Sequence, residues 1–410
     1  MKPGPIAISD GGDRVDPGED QLVQYRHREG VLDLGWGHPD PDLLPVEAWS
    51  RAWGRAAHRW GHRLLTYGHG PGPLPFRRWL GDRLGLTDGR RVDPEDVVVT
   101  AGASHALDLL ATAHTRPGDL VLVQSPTYHL AVRILGDHGL IPLAMVPDDD
   151  GRGIDVVATR ERVRAACVGG RRVSMIYVVG AHANPTGRSL AHDEGADLAL
   201  LAGELGAVMV EDDTYRELTL VGRAPDSAFS ADSTGRVARI GSLSKVVAPA
   251  LRIGWITAPG GILSPIAEGG LLDSGGGVAH AQALAAVEFA AEGAFDVHLA
   301  GLRTSYRERR DALVDGLRRH CPHLHFDVPE GGWFLWVDTS RAGGTPDGLA
   351  RAHRHGVGFL PGTVFVPDPV DPGGGDAENR VRLAFSMFSA RELAEAAARL
   401  GRVFPPDGGA

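Results

Sequence analysis

The chain has 410 residues, of which 43% are hydrophobic and 23% charged, and its formal net charge is −10. These values are typical of a globular protein and exclude a fibrous or disordered chain. The negative charge argues against DNA, RNA or an anionic membrane as the main partner. A chain of this length exceeds what one hydrophobic core ordinarily serves, so we expect two packed units.

The cysteines and the absence of targeting patterns point to a cytoplasmic protein. Cys167 and Cys321 stand far apart and lack metal-type spacing, which is typical of reduced thiols. Charged residues interrupt every apolar stretch before it could cross a bilayer, and the first residues lack the apolar segment of a secretory signal. The 18 histidines show no ligand spacing, and HExxH and paired CxxC motifs are lacking, so we predict no metal site.

Strands and helices alternate through the first two thirds of the chain. Residues 1–45 are rich in Gly, Pro and Asp and predict an N-terminal arm. Helical spacing follows at 46–65, 105–114, 129–137 and 191–205, and strand patterns lie at 97–100, 120–124, 141–145, 173–179, 207–211, 237–241 and 253–258. This alternation predicts βαβ units and a mainly parallel sheet between helices, in a large domain that we assign to residues 46–275.

The pattern changes after Pro259. Helical patterns at 279–292 and 299–320 precede strand-like segments at 324–328 and 333–337. A helix near 346–355, a strand near 381–386 and a last helix at 390–403 complete the chain, with a glycine-rich surface loop at 367–378. We assign residues 276–410 to a smaller α+β domain and expect part of the arm to pack with it.

A single lysine carries the strongest chemical indication. Only Lys2 and Lys245 are lysines among the 42 basic residues. Lys245 lies between two predicted strands, at a sheet edge where open α/β sheets bind ligands. Apolar surroundings penalise its charged form and favour a nucleophilic amine. Ser242 and Ser244 before it, and Arg252 after it, supply hydrogen-bond donors suited to a phosphate.

The segment from Glu211 to Tyr215 directly follows an apolar strand. Asp212 and Tyr215 are three residues apart, so a turn at the strand end can present both to one ligand. A carboxylate beside the ring nitrogen of a bound cofactor would keep that nitrogen protonated and electron-withdrawing. Taken alone, the segment is equally compatible with an acidic turn or a helix cap.

Two further segments reach the same sheet edge. The turn that begins at Asn184-Pro185 can place the Asn184 amide there, although it is also an ordinary turn motif. The small residues Gly102, Ala103 and Ser104 join a strand to a helix, and free backbone N–H groups at a helix start bind anions. This segment is not a P-loop, because it lacks the Gly-Lys-Ser/Thr ending.

These segments, in this order, resemble fold-type-I enzymes that depend on pyridoxal 5′-phosphate (PLP). The resemblance is to class I/II aminotransferases of the 2-aminoadipate/kynurenine aminotransferase-like branch, and it runs from about Leu32 to Val403. The matching pieces are DLGWGHPDPDLLP, TYGHGPG, TAGASHALDLLA, SPTYH, NPTG, EDDTYREL, GSLSK, LRIGW, PEGGWFLWV and NRVRLAFS. The resemblance implies an α/β fold with a mainly parallel seven-stranded sheet between helices and a smaller α+β domain.

The resemblance also implies roles for the residues around the cofactor. Lys245 would carry PLP as a Schiff base and move the substrate's proton, while Asp212 would pair with the ring nitrogen. Tyr215 and Asn184 would bind the 3′-oxygen, and Tyr128 would stack on the ring. The phosphate would be held by Gly102, Ala103, Ser104, Ser242, Ser244 and Arg252, and by Tyr67 of a neighbouring subunit. A homodimer with shared active sites is therefore expected.

Substrate recognition is expected at Arg382, Asn184 and Gly37. A guanidinium matches a carboxylate through two hydrogen bonds, so Arg382 would hold the substrate's α-carboxylate, although a surface arginine is the alternative on composition alone. Gly37 would line the same pocket through its backbone. The polar arm residues 25–28 and 36–38 could select an unusual substrate side chain, or they are solvated loop residues.

The function implied is transfer of the amino group from an α-amino acid to a 2-oxo acid, in amino-acid or specialised natural-product metabolism. A decarboxylase, cyclase, eliminase or amino-acid oxidase on the same scaffold needs the same Lys245, Asp212 and Arg382, so it remains an alternative. A regulator with this domain fused to a DNA-binding helix-turn-helix is a third hypothesis, which the acidic, Gly/Pro-rich arm disfavours.

Overall fold

The computed structural model describes residues 28–149, 151–342, 348–367 and 374–406. The strands are β1 (Leu32–Asp33), β2 (Val97–Thr100), β3 (Leu120–Val123), β4 (Ile141–Ala144), β5 (Val173–Val179), β6 (Val208–Asp212), β7 (Val237–Ser242), β8 (Gly254–Thr257), β9 (His325–Phe326), β10 (Phe334–Asp338), β11 (Val357–Gly358), β12 (Leu360–Pro361) and β13 (Arg380–Ala384).

The helices surround these strands. They are α1 (Val46–Trp60), α2 (Leu74–Asp88), α3 (Ala103–His114), α4 (His129–Asp137), α5 (Val156–Ala166), α6 (His192–Leu205), α7 (Ala228–Ala231), α8 (Gly260–Ala267), α9 (Gly270–Gly275), α10 (His280–Ala290), α11 (Ala294–His320), α12 (Gly348–Arg354) and α13 (Ala390–Val403). Within the described ranges, none of these helices combines the length and apolar character needed to cross a membrane.

Seven strands form the large sheet, in the order β2-β8-β7-β6-β5-β3-β4. Six of these strands run in one direction, and β8 alone runs in the opposite direction. The expected fold class, a mainly parallel seven-stranded sheet between helices, is therefore confirmed. In a parallel array, the carboxyl ends of β5, β6 and β7 meet at one edge, and the loops that follow them meet there too.

The apolar runs form strands because both faces of the sheet are covered. On β2, Val97 and Val99 join the core beneath α2 and α6, whereas Val98 joins the core beneath α3 and α4. Every residue of β2, β3, β5, β6, β7 and β8 is buried. A strand buried on both faces needs continuous rather than alternating hydrophobicity, which is the pattern in VVVT and LVLV.

The C-terminal part forms a second sheet of four strands, in the order β12-β13-β10-β9 with antiparallel pairing. Helices α11 and α13 pack against each other beside it. The arm reaches this part of the chain through β1, which pairs in parallel with β11. The pairing places residues 35–38 next to the second sheet. The domain boundaries at residues 45/46 and 275/276 remain predictions.

Some elements differ from the sequence-based expectation. Helix α2 was not predicted, because Gly81 and Gly85 interrupt its apolar pattern. A Cβ on Gly81 would lie 2.8 Å from the Val92 carbonyl oxygen, so this glycine allows close packing rather than a turn. The predicted helix 46–65 ends at Trp60, where Gly61 takes a φ of 53°. The predicted strand 324–328 shortens to the two residues of β9.

A buried cluster of paired charges links the end of α2 to the large sheet. Arg239 on β7 lies 2.9 Å from a carboxylate oxygen of Asp88, the last residue of α2. Both side chains are almost completely shielded from solvent. Arg216 and Asp213 complete the cluster with a contact of 2.7 Å. Buried charges of this kind must be paired, so each partner holds the other in place.

We expect Asp88→Ala to lower the free energy of unfolding by about 3 kcal/mol, because it leaves the buried Arg239 guanidinium with only the more distant Asp213 carboxylate, at 3.7 Å, to compensate its charge. Glu47→Ala is the matched control, since it breaks an exposed ion pair with Arg51. That change should cost less than about 1 kcal/mol. Denaturant unfolding followed by circular dichroism measures both values, and equal losses would contradict this account.

Candidate active site

Lys245 lies in the turn between β7 and β8, among aromatic rings. Its Nζ is 4.7 Å from the centroid of the Trp333 ring and 5.8 Å from that of Tyr215. Burial lowers the pKa of Lys245 to about 8, and the positive charge of Arg382 adds to this, while the carboxylate of Asp212 opposes it. An amine with this pKa is substantially uncharged in mildly alkaline solution and can act as a nucleophile.

Asp212 is the last residue of β6 and faces the same edge. Its Oδ2 accepts a hydrogen bond from the Tyr177 hydroxyl at 2.9 Å, and its Oδ1 accepts one from the backbone N–H of Thr214 at 3.2 Å. Burial raises the pKa of Asp212, whereas these donors lower it. The result is a fixed, buried carboxylate at the centre of the sheet edge.

Two tyrosines contribute hydroxyls that stay protonated. Burial raises the pKa of Tyr128, which precedes α4, to about 12 and raises that of Tyr215 further. The Tyr215 ring stands edge-on to Trp333 and Phe334, with centroid distances of 5.7 and 5.8 Å. Tyr215 is therefore held rigidly between the large sheet and β10, with its phenol available as a donor.

The start of α3 forms an anion cradle with Arg252. Gly102 precedes the helix with a φ of 88°, in the left-handed region that favours glycine. A Cβ at Gly102 would lie 2.5 Å from Nη2 of Arg252, so a side chain there would displace the guanidinium. Nη2 also donates to the Ala101 carbonyl at 2.9 Å. The helix N–H groups of Ala103 and Ser104 thus lie beside a fixed positive charge.

The two serines before Lys245 organise its loop. Ser242 Oγ lies 2.9 Å from the Ile253 carbonyl oxygen and 2.8 Å from Ser244 Oγ. It also accepts a hydrogen bond from the backbone N–H of Ser244 at 3.0 Å. The Ser242 hydroxyl is thus occupied within the loop, and the less enclosed Ser244 hydroxyl is the better placed of the two for a ligand.

Arg382 projects from β13 in the second sheet and is buried. Its Nη1 donates to Asn184 Oδ1 at 2.8 Å and its Nη2 to the Gly35 carbonyl at 2.5 Å. The guanidinium lies over the Phe334 ring at 4.2 Å and the Phe365 ring at 4.9 Å. Burial lowers its pKa to about 10. Its Nε has no hydrogen-bond partner in the described part of the chain.

The arm loop 35–38 covers this arginine. A Cβ at Gly37 would lie 2.7 Å from the Phe334 ring, so only glycine fits against it. Ser386 Oγ donates to the His38 carbonyl at 2.6 Å and anchors the loop to the end of β13. Burial lowers the pKa of His38, and so does the charge of Lys245, which requires the imidazole to lie within electrostatic reach of that amine.

The structure brings most of the predicted residues together and leaves one apart. Lys245, Asp212, Tyr215, Asn184 and Arg382 converge where the large sheet meets β10 and β13. Tyr67 is 82% exposed and therefore lies at the surface. Residues 25–27 of the predicted substrate-covering arm, and Lys2, fall outside the described residues. Arg28 is paired with Asp33 at 2.8 Å.

Sequence reasoning missed three aromatic residues that shape the site. Tyr177 holds Asp212, Trp333 faces Lys245, and Phe365 lies beneath Arg382. Tyr177 could have been found, because it is a phenol in the middle of an otherwise buried strand and needs a polar partner there. Phe365 offered no such indication, since it approaches the site only through the tertiary fold.

Comparison with known proteins gives a consistent assignment. The family model described as Aminotransferase class I and II matches residues 29–400. The chain is 30% identical to the 2-aminoadipate transaminase of Thermus thermophilus over 93% of this chain and 92% of that protein. It is 26% identical to aromatic-amino-acid aminotransferase 1 of Thermococcus litoralis, over 93% and 89% respectively.

A solved structure agrees with the sequence comparison. The crystal structure of the Pyrococcus horikoshii kynurenine aminotransferase superposes with a TM-score of 0.82 at 27% identity. The match covers 95% of this chain and 97% of that one. The overall fold is therefore shared along almost the whole length.

The lowered pKa of Lys245 predicts how this amine reacts in the protein freed of bound ligand. We expect its rate of acylation to rise with pH with a midpoint near 8. An ordinary lysine titrates near 10.4, and Lys245 in the denatured protein serves as the control. Mass spectrometry of the Lys245 peptide after brief labelling of the folded and the denatured protein measures both rates. A midpoint in the folded protein indistinguishable from that in the denatured protein would show that the amine is solvated.

Proposed function

The chain belongs to the class I and II aminotransferases and is a PLP-dependent enzyme, and from this premise we propose which residues perform the transfer and on what. We propose that Lys245 holds the cofactor and moves the substrate's proton. Asp212 would stabilise the charged cofactor ring, and Arg382 would hold the α-carboxylate of the amino acid. The amino group would pass to a 2-oxo acid.

The residues present fit PLP at three points. The cradle formed by Gly102, the start of α3 and Arg252 suits a phosphate, because it combines backbone N–H groups with a fixed guanidinium. The buried carboxylate of Asp212 suits a protonated ring nitrogen. The Tyr215 phenol and the Asn184 amide suit the 3′-oxygen. Asn184, Asp212 and Tyr215 are buried, whereas Arg252 is exposed at the mouth of the cradle.

When bound, PLP supplies an electron-withdrawing ring that makes a proton at the Cα of an amino acid removable. The chain's own residues orient and protect this chemistry. Lys245 Nζ, with its lowered pKa, can accept a proton and return it within the same pocket. Trp333, at 4.7 Å from Nζ, and the arm loop 35–38 restrict the water around it.

The observation that carries the proposal is the buried, incompletely paired Arg382. Its Nε has no hydrogen-bond partner in the described residues, and a buried donor of this kind is costly unless a ligand satisfies it. Asn184 and the Gly35 carbonyl hold the other two nitrogens and fix the plane of the guanidinium. A carboxylate is the ligand whose geometry and charge best match such a group.

We also propose where the substrate side chain lies. The loop 35–38 is held over Arg382, so the backbone of Gly37 and the side chain of His38 would border the substrate side chain. His38 is held neutral by burial and by the charge of Lys245, which suits a hydrogen bond more than an ion pair. The related proteins are named for 2-aminoadipate, aromatic amino acids or kynurenine. We therefore expect the substrate of this chain to have a large side chain.

A homodimer with shared sites is part of the proposal. Tyr67 is 82% exposed on a single chain although it lies between the helical turn Gly61–Leu64 and the glycine-rich segment 68–72. We propose that it reaches the cofactor phosphate of a second copy. The free thiols of Cys167 and Cys321 suit a cytoplasmic location, which fractionation of the source cells would test.

The decisive experiment for function is the absorbance of the holoenzyme as single amino acids are added. We expect the substrate to remove the yellow colour and yield pyridoxamine phosphate, and a 2-oxo acid to restore the colour. Lys245→Ala should reduce turnover by about 10³-fold or more, because no other described lysine can move the proton. Carbon dioxide, ammonia or a cyclised product without pyridoxamine phosphate would instead indicate another PLP reaction.

Mixing two defective chains, at a cofactor concentration that does not saturate the Tyr67→Phe homodimer, tests the shared site. We expect Tyr67→Phe to weaken cofactor binding and Lys245→Ala to abolish turnover in the respective homodimers. A mixed dimer would contain one intact site, with Lys245 from one chain and Tyr67 from the other. Turnover should therefore recover to about half of the wild-type value per mixed dimer. No recovery in mixtures shown to be dimeric would mean that Tyr67 does not act on the partner's site.

A further inference from the structure

Tyr177 is a fully buried tyrosine in the middle of β5. Its strand neighbours are Val123 on β3 and Val210 on β6, so its backbone lies between two buried apolar residues. A phenol buried without a hydrogen bond is costly. The hydroxyl finds its partner in Asp212, whose Oδ2 lies at 2.9 Å.

Strand geometry places these two groups together. Asp212 pairs with Val179, two residues beyond Tyr177 on the neighbouring strand. Side chains alternate between the faces of a sheet, so residues 177 and 179 of β5 share a face, as do 210 and 212 of β6. The long Tyr177 side chain reaches forward along that face to the carboxylate. The contact is therefore set by the strand register and not by a mobile loop.

The direction of the hydrogen bond is also fixed. Burial raises the pKa of Tyr177 far above its usual value, and the negative charge of Asp212 raises it further, so the phenol keeps its proton and donates it. The other oxygen of Asp212 accepts from the Thr214 backbone N–H at 3.2 Å. Each oxygen of the carboxylate thus accepts one hydrogen bond, and the two bonds hold it in a single orientation.

We propose that Tyr177 is a positioning residue that acts through Asp212: its hydroxyl orients the carboxylate and determines how strongly Asp212 attracts the proton of the cofactor's ring nitrogen. The inference rests on the proposed pairing of Asp212 with that nitrogen. A donor to a carboxylate stabilises the charged form and makes it a weaker base. The proton therefore stays on the ring, where it sustains the electron withdrawal that the reaction needs.

Loss of the Tyr177 hydroxyl should raise the pH at which Lys245 Nζ, joined to the cofactor, loses its proton. Without the donor, Asp212 becomes a stronger base and draws the shared proton away from the ring nitrogen. The ring then carries less positive charge. Positive charge on the ring makes it easier for Lys245 Nζ, once joined to the cofactor, to lose its own proton. The visible absorbance that reports this loss should therefore change at a higher pH.

The test is an absorbance titration of the holoenzyme carrying Tyr177→Phe. We expect the midpoint of the absorbance titration to rise by about 0.5–1 pH unit, because only part of the roughly 1–2 units that one hydrogen bond to a charged group is worth would be transmitted from Asp212 to Lys245. Turnover should fall about tenfold with little change in KM. Site-specific 3-fluorotyrosine at position 177 should lower the midpoint, because a more acidic phenol is a stronger donor. Opposite shifts from two nearly isosteric replacements are not expected of a purely structural residue.

Tyr306→Phe is the matched control. Tyr306 is equally buried but lies against Trp333 and not against Asp212. Its replacement should leave the midpoint unchanged. A folded Tyr177→Phe holoenzyme with the wild-type midpoint would overturn the proposal. If that variant does not fold, the fluorotyrosine protein decides, and an unchanged or raised midpoint there would overturn it.

Asp212→Asn separates this inference from the function on which it rests. Removal of the carboxylate charge should raise the midpoint more than Tyr177→Phe does, and Tyr177→Phe should add little in that background. If Asp212→Asn leaves the midpoint unchanged, the pairing of Asp212 with the ring nitrogen is itself wrong. If Asp212→Asn shifts the midpoint and Tyr177→Phe does not, only the role of Tyr177 is wrong.

Discussion

The burial of a carboxylate at the carboxyl end of β6 is the constraint on which the site depends. Asp212 is almost completely shielded from water, and a buried charge is tolerated only when donors or an opposite charge compensate it. Tyr177 and Thr214 supply two donors from the protein. In the function that we propose, a protonated ring nitrogen of PLP would supply the remaining compensation. The charge of Asp212 would then be fully balanced only in the presence of the cofactor.

The same electrostatic logic extends to Lys245 and Arg382. Both are cations in a largely apolar, aromatic setting, and burial lowers the pKa of each. For Lys245 the consequence is a reactive amine, and for Arg382 it is an incompletely satisfied donor that a carboxylate can complete. These groups come from different sheets, so the pocket exists only because the arm and β13 are packed over the edge of the large sheet.

Much of this arrangement could be predicted from the sequence. The buried strands could be recognised as continuous apolar runs, and the parallel order brought Lys245, Asp212 and Asn184 to one edge. The role of Gly37 rested on the family resemblance, and the structure adds the reason that a side chain there would meet Phe334. The short strands β1, β11 and β12 could not be predicted, because two residues carry no periodicity.

The limits of sequence reasoning are clearest where contacts depend on register. The hydrogen bond from Tyr177 to Asp212 requires the exact pairing of β5 with β6, which neither strand specifies alone. Helix α2 could not be recognised from its apolar pattern, because two of its positions are glycines that pack against the backbone near Val92. The role of Tyr67 depends on a second copy of the chain, because the cofactor phosphate that it is proposed to contact belongs to that copy.

The claim that Lys245 holds the cofactor is tested most directly by reduction of the holoenzyme with borohydride. Reduction makes the link between the cofactor and its amine permanent, and proteolysis followed by mass spectrometry then locates it. The account predicts the added mass on the peptide that contains Lys245 and on no other. Added mass at Lys2, or a holoenzyme in which no lysine is modified, would contradict it.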